Sequence, residues 1–118
     1  AGPDAATTLL MVELRQLGGA LADEPAVHSA YCHRDAAYNL HTVGVLVPPI
    51  EQAVVADADR LVDAMRPWAT GGRMPNFVSS ADPAVIRTCY DDDTVAWLAA
   101  LARQHDPRGV LAVGQVVR

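Results

Sequence analysis

Glu13 and Arg15 stand two apart in a segment of alternating polarity, so on an extended backbone both side chains leave the same face. A carboxylate and a guanidinium on one face either meet water or line a cavity covered by another domain. Asn76 carries donor and acceptor groups in a single short side chain, suited to holding a ligand oxygen or to capping a turn. His28, Cys32, His33 and His41 gather metal-ligating types into one stretch. An extended backbone would put Cys32 and His33 on opposite faces, and no paired ligand motif follows, so no metal site is expected. Neither Gly18-Gly19 nor Gly71-Gly72 opens a helix with the lysine or further glycines of a phosphate loop, and both read as turns. Spacing alone supports no Ser-His-Asp arrangement.

These residues need elements to position them. Residues 9 to 17 alternate, with Leu10, Val12 and Leu14 on one face and Met11, Glu13, Arg15 and Leu17 on the other, which predicts a strand ended by Gly18-Gly19. A second, bent strand is expected through residues 28 to 47, stopped by Pro48-Pro49. Val54, Ala58, Leu61, Met65 and Trp68 then recur at helical spacing, with Asp57, Asp59, Arg60, Asp63 and Arg66 on the other side. Pro67 and Gly71-Gly72 end that helix. Residues 73 to 79, with Asn76 and Phe77, read as extended. Asp82-Pro83 is an N-cap followed by a first-turn proline, with Val85, Ile86 and Cys89 turned inward. Asp91-Asp92-Asp93 introduces a last helix whose buried stripe is Val95, Leu98, Leu101 and Ala102, and Asp106-Pro107 stops it. A short final strand follows. The order predicts an α+β fold, an antiparallel sheet with helices packed on one face, as a single domain over 1–118.

The chain has 118 residues and a formal net charge of −5, enough for one core and with no basic footprint for nucleic acid. All nine basic residues are arginine, a bias of GC-rich coding of the actinobacterial kind. Charged residues interrupt every apolar run before it reaches the roughly 20 residues that span a bilayer, so no membrane partner is expected. The start, Ala1-Gly2-Pro3-Asp4, lacks the regions of a signal peptide and reads as a linker, a tag scar or an internal cut point. The cytoplasm is the expected compartment. Cys32 and Cys89 are expected to be reduced, although pairing is not readable from sequence.

Several motifs in order carry a resemblance. Asn76-Phe77, then Tyr90, a short amphipathic run and Asp106-Pro107-Arg108-Gly109 resemble the C-terminal tail of the berberine-bridge-enzyme-like FAD-linked oxidases. Upstream, Leu14-Arg15-Gln16-Leu17-Gly18-Gly19 resembles that family's strand ending in Gly-Gly, and Tyr31-Cys32-His33-Arg34 its aromatic-x-His-Arg strand. The likeness covers roughly residues 8 to 118.

It implies that the chain is the C-terminal portion of a substrate domain, inactive without an N-terminal FAD-binding domain that holds the cofactor. The reaction it implies is oxidation of an alcohol, sugar or amine carbon by hydride transfer to FAD. By the same resemblance Glu13, Arg15, Leu40 and Phe77 face substrate, and Asn76 lies beside the flavin. Leu40 stands where several members have a glutamate base and Phe77 where others have a tyrosine; neither takes a proton, so the catalytic residue stays unassigned. Asp91 replaces a glycine after Tyr90, and Val113 a frequent asparagine. A rival expectation is a stand-alone α+β module, dimeric through an uncovered sheet face, that binds a small ligand or mediates association.

Overall fold

The computed structural model describes residues 4–111 and 117. The fold is α+β, with a two-stranded antiparallel sheet and three α-helices among the described residues. The described residues gather into two compact units, one built from residues up to Leu17 with Ala37–Thr70, the other from Gly18–Ala36 with residues from Gly71 onward.

The first unit is a ribbon and a helix. Strand β1 (Met11–Gln16) pairs with β2 (Tyr38–Val43) in the register Met11 to Val43, Glu13 to His41 and Arg15 to Asn39. Bonds from Leu10 N to Val43 O and from Leu17 N to Ala37 O, 2.9 and 2.8 Å, carry the pairing past both ends. Because side chains alternate across a strand, Met11, Glu13, Arg15, Asn39, His41 and Val43 share one face. Val12, Leu14, Gln16, Tyr38, Leu40 and Thr42 share the other.

Helix α1 (Glu51–Met65) is anchored by Val54, the buried apolar residue among the described residues of this unit. A Cβ on Gly44 would collide with the Val54 side chain, so the missing methyl at Gly44 is what lets the helix approach the end of β2. Asp57 ties the helix to the chain before β1: its Oδ2 accepts from Thr8 N at 2.6 Å, Thr8 Oγ1 at 3.0 Å and Thr7 Oγ1 at 3.1 Å. Asp57 with Arg60 and Asp63 with Arg66 add ion pairs one turn apart along the helix.

The Asp57 tether is acid-sensitive. The Thr8 amide bond, then the Thr8 hydroxyl and the smaller contributions of Thr7 and Arg60, hold its carboxyl below the ordinary value of 3.8 against a modest opposing cost of burial. A folded pKa below the unfolded one stabilises at pH above the unfolded value, and that contribution is lost as pH falls through the folded one. Amide exchange at Thr8 is therefore expected to quicken relative to the β1 amides on acidification below 3.8, and Asp57→Asn should abolish the difference. Unchanged relative protection in acid would show that the tether carries nothing.

The predicted apolar stripe of α1 holds through Ala58, Leu61 and Met65, which are half-buried, but not at Trp68, which is 74% exposed. The α-helix ends at Met65 and residues Arg66–Trp68 form a 3₁₀ turn. Tightening from 3.6 to 3 residues per turn swings the next side chain off the stripe.

The second unit is helical. Asp82 caps α2 (Pro83–Arg87) by accepting from Ala84 N at 2.9 Å, with Pro83 in the first turn. Asp91 caps α3 (Asp92–His105) by accepting from Thr94 N at 2.7 Å. Asp92 and Asp93 lie at the positive end of that helix and Arg103 and His105 at the negative end, as the macrodipole favours. Asp106 stops it: buried, its two oxygens accept from Val110 N at 2.8 Å and Leu111 N at 2.9 Å. Ile86, Cys89, Thr94, Val95 and Ala99 are its buried residues among those described, besides Asp106, while Val85, Leu98, Leu101 and Ala102 are half-buried.

Two expectations are corrected here. The second strand does not run from 28 to 47, because His33 sits at φ 58° and its carbonyl accepts from Ala36 N at 3.1 Å, turning the chain before β2 begins at Tyr38. Residues 73 to 79 are not extended throughout, because Phe77 N and Val78 N bond back to Met74 O and Pro75 O and close a 3₁₀ turn over Pro75–Phe77. The expected last strand and Val113 lie outside the described residues.

Candidate functional site

The face of the ribbon that carries Glu13 and Arg15 is the candidate site. Arg15 grips Glu13 in a fork, Nη2 to Oε1 at 2.8 Å and to Oε2 at 3.0 Å, with Nε to Oε1 at 3.2 Å. Bidentate geometry of this kind fixes a carboxylate more firmly than a single contact. Across the ladder, His41 Nδ1 lies 3.9 Å from Glu13 Oε2. Beside them Asn39 Nδ2 is shut off from solvent without a hydrogen-bond partner. A shielded amide donor left unpaired costs free energy that a ligand oxygen would recover. Carboxylate, guanidinium, imidazole and amide thus stand together on one face, Glu13, Asn39 and His41 half-buried and Arg15 exposed, able to orient polar groups.

The expected site residues divide among three places. Glu13 and Arg15 are on this face; Leu40 is on the opposite face, paired with Leu14. Asn76, exposed, and Phe77, half-buried, belong to the 3₁₀ turn of the second unit. Asn39 and His41 were not singled out for this face by spacing. The signal was present in the alternation of β2, but only the register with β1 assigns them to it.

No protein-family model, curated protein or solved structure matches this chain.

A second polar cluster fills the helical unit. An open cavity of about 540 Å³ is lined by Tyr31, Cys32, His33, Arg34, Asp91 and Thr94, among others. These groups already serve one another. Arg34 Nη1 donates to Leu21 O and Asp23 O at 2.8 and 3.0 Å, its Nη2 to Ser29 Oγ at 3.1 Å, and its guanidinium lies 4.8 Å from the centre of the Tyr31 ring. Cys32 Sγ is 3.4 Å from both Asp91 Oδ2 and Thr94 Oγ1. His33 Nε2 lies 3.2 Å from Thr88 O. The cluster folds the long β1 to β2 connection against the α2 and α3 segment, and that is sufficient reason for its residues.

The thiols are both free, and burial pushes that of Cys89 up, away from reactivity. Burial likewise raises the Tyr90 hydroxyl. Hydrogen bonds from the Thr94 amide and hydroxyl, then Cys32, hold Asp91 low. Among the described residues no group of three or more His, Cys, Asp and Glu side chains is placed to hold a metal ion. No helix there is long and apolar enough to cross a membrane.

Proposed function

We propose that the chain is the C-terminal portion of the substrate domain of an FAD-dependent oxidoreductase of the berberine-bridge-enzyme-like kind, acting on an alcohol, sugar or amine carbon and inactive without its FAD-binding domain. One observation carries the reading: the Glu13, Arg15, Asn39 and His41 face lies on a ribbon that is incomplete by itself. A two-stranded sheet is marginal in water without further cover. This ribbon unit buries only Val54 among its described apolar residues, while Leu10, Leu14, Tyr38, Ile50 and Val62 stay exposed. Apolar surface of that extent on a soluble protein marks a place where more protein sits.

The residues present fit part of a flavin site. Gly18 and Gly19, at φ 104° and 53°, open a single 3₁₀ turn, Gly19–Leu21, too short to cradle a pyrophosphate. The dinucleotide end is therefore left to the other domain. What fits is the reacting end, where the unpaired Asn39 amide and the Glu13-held Arg15 can bind the oxygens of a polar substrate. Bound flavin supplies the hydride acceptor. The chain's own residues orient the substrate carbon and shield it from water.

The test is flavin content. The 118-residue chain is expected to bind FAD no more tightly than about 10 μM, equivalent to roughly −7 kcal/mol. The whole product of its natural reading frame should purify yellow, with a flavin absorption band. Tight stoichiometric FAD binding by the chain alone, or a colourless whole product, overturns the proposal. The second reading, a dimeric association module, draws on the same exposed Leu14 and Tyr38 on one ribbon face. It predicts a concentration-dependent dimer in sedimentation and no flavin at all.

A further inference from the structure

We infer that the outer edge of β1 is an interaction surface whose partner is a second copy of this chain, the two β1 strands pairing antiparallel about a two-fold axis at Leu14. The pairing uses a strand edge and neither ribbon face, so it stands apart from the flavoenzyme reading.

The edge is defined by the backbone groups that β2 leaves unused. Leu17 N donates to Ala37 O at 2.8 Å, and these residues stand opposite each other in the register that continues from Gln16 and Tyr38. Hydrogen-bonded and non-hydrogen-bonded pairs alternate along an antiparallel ladder, so Met11, Glu13 and Arg15 turn their backbone groups to β2. Val12, Leu14 and Gln16 turn theirs outward. Among the described residues no third strand meets them. Leu14 and Gln16 are exposed and Val12 half-buried, whereas every β2 residue from Asn39 to Val43 is half-buried, which makes β1 the more open edge. An open edge is a template for another strand, and two strands alone are marginal in water. No proline blunts Met11–Gln16.

The charges name the occupant. Glu13 and Arg15 flank Leu14 with opposite signs. Pairing two copies about Leu14 sets Glu13 opposite the partner's Arg15, and Arg15 opposite the partner's Glu13. Each Arg15 also holds its own Glu13 at 2.8 Å, so the charged groups alternate in sign around a closed square. A register two residues away in either direction would put Glu13 against the partner's Glu13, or Arg15 against the partner's Arg15. Like charges directly opposite are destabilising. In the two-fold register Leu14 exchanges backbone bonds with the partner's Leu14 and Val12 with the partner's Gln16, which uses the outward groups of the strand. On the opposite face Leu14 already pairs with Leu40. The same register therefore lines up Leu40, Leu14, the partner's Leu14 and the partner's Leu40 in one apolar row, covering a Leu14 that is 57% exposed in a single copy. Self-complementarity of this kind is what a two-fold interface requires.

Sedimentation and amide exchange of the 118-residue chain test the inference. A dimer is expected, with protection of the Val12, Leu14 and Gln16 amides that rises with concentration, while the Glu13 and Arg15 amides are protected throughout. Glu13→Arg and Arg15→Glu should each weaken self-association roughly 10-fold or more. An equal mixture of the two variants should associate again, because every facing pair is then opposite in sign, and that recovery also shows that both variants fold. A chain monomeric up to roughly 1 mM, a dimer indifferent to both charge changes, a mixture that stays apart, or a dimer whose Leu14 amide exchanges freely overturns the inference. So does a monomeric whole product of the natural reading frame with those amides protected, since the edge would then belong to another segment of its own chain. A colourless whole product sinks the flavoenzyme reading and leaves the edge pairing standing.

Discussion

Truncating Ile86 to alanine is expected to cost the helical unit about 2–5 kcal/mol, because both the transfer energy of the lost methyls and the cavity they leave count against the fold. Ile86 is 3% exposed and stands in a helix of five residues, which has too few internal hydrogen bonds to persist alone. What keeps α2 in place is the burial of Ile86 and of Cys89 just after it. Release of α2 also frees the Thr88 carbonyl, which faces His33 Nε2 and accepts from Arg73 N. Urea unfolding should therefore show a lower midpoint for this unit, and amide exchange at Arg73 should quicken along with the α2 amides. An unfolding free energy within about 0.5 kcal/mol of wild type would be the behaviour of a surface position, and would mean that Ile86 is not the anchor.

Gly72→Ala should destabilise by about 1–3 kcal/mol, the usual range for adding a carbon where there is no room. The imidazole of His33 occupies the space a Cβ would take. That ring has little freedom to withdraw, since its backbone is held at φ 58° and its Nε2 faces Thr88 O at 3.2 Å. A left-handed conformation is tolerated better by histidine than by branched residues, and best by glycine. His33→Gly thus removes the ring without adding backbone strain. The decisive measurement is the double-mutant cycle: Gly72→Ala should cost little in the His33→Gly background. Additive penalties would show that the methyl strains something else.

Much of the architecture was legible because its signals act over a few residues. Asp82-Pro83 and Asp91 declare helix starts through side chains that reach amides one turn away, and Asp106-Pro107 declares a stop. The alternation from Met11 to Gln16 needed only its own period and the Gly18-Gly19 step to define β1. Even the α+β class follows from this order of local elements.

Where the prediction departed from the structure, the deciding contact was remote in sequence. Tyr31 to Arg34 has the composition of a strand, yet the turn at His33 is held by Thr88 and by the vacant side-chain position of Gly72. Trp68 fits the helical period, but the helix tightens before reaching it. The candidate site depends on such a contact most of all. Glu13 and Arg15 could be paired by their own spacing, whereas His41 and Asn39 join them only through the β1 to β2 register. Shifting that register by one residue would bring Leu40 to the face and send His41 away. Strand period is a property of the local backbone, but cross-strand register is set by which hydrogen bonds and side chains meet after the long connection has folded, so the sequence determined the elements and the tertiary structure decided which residues form the site.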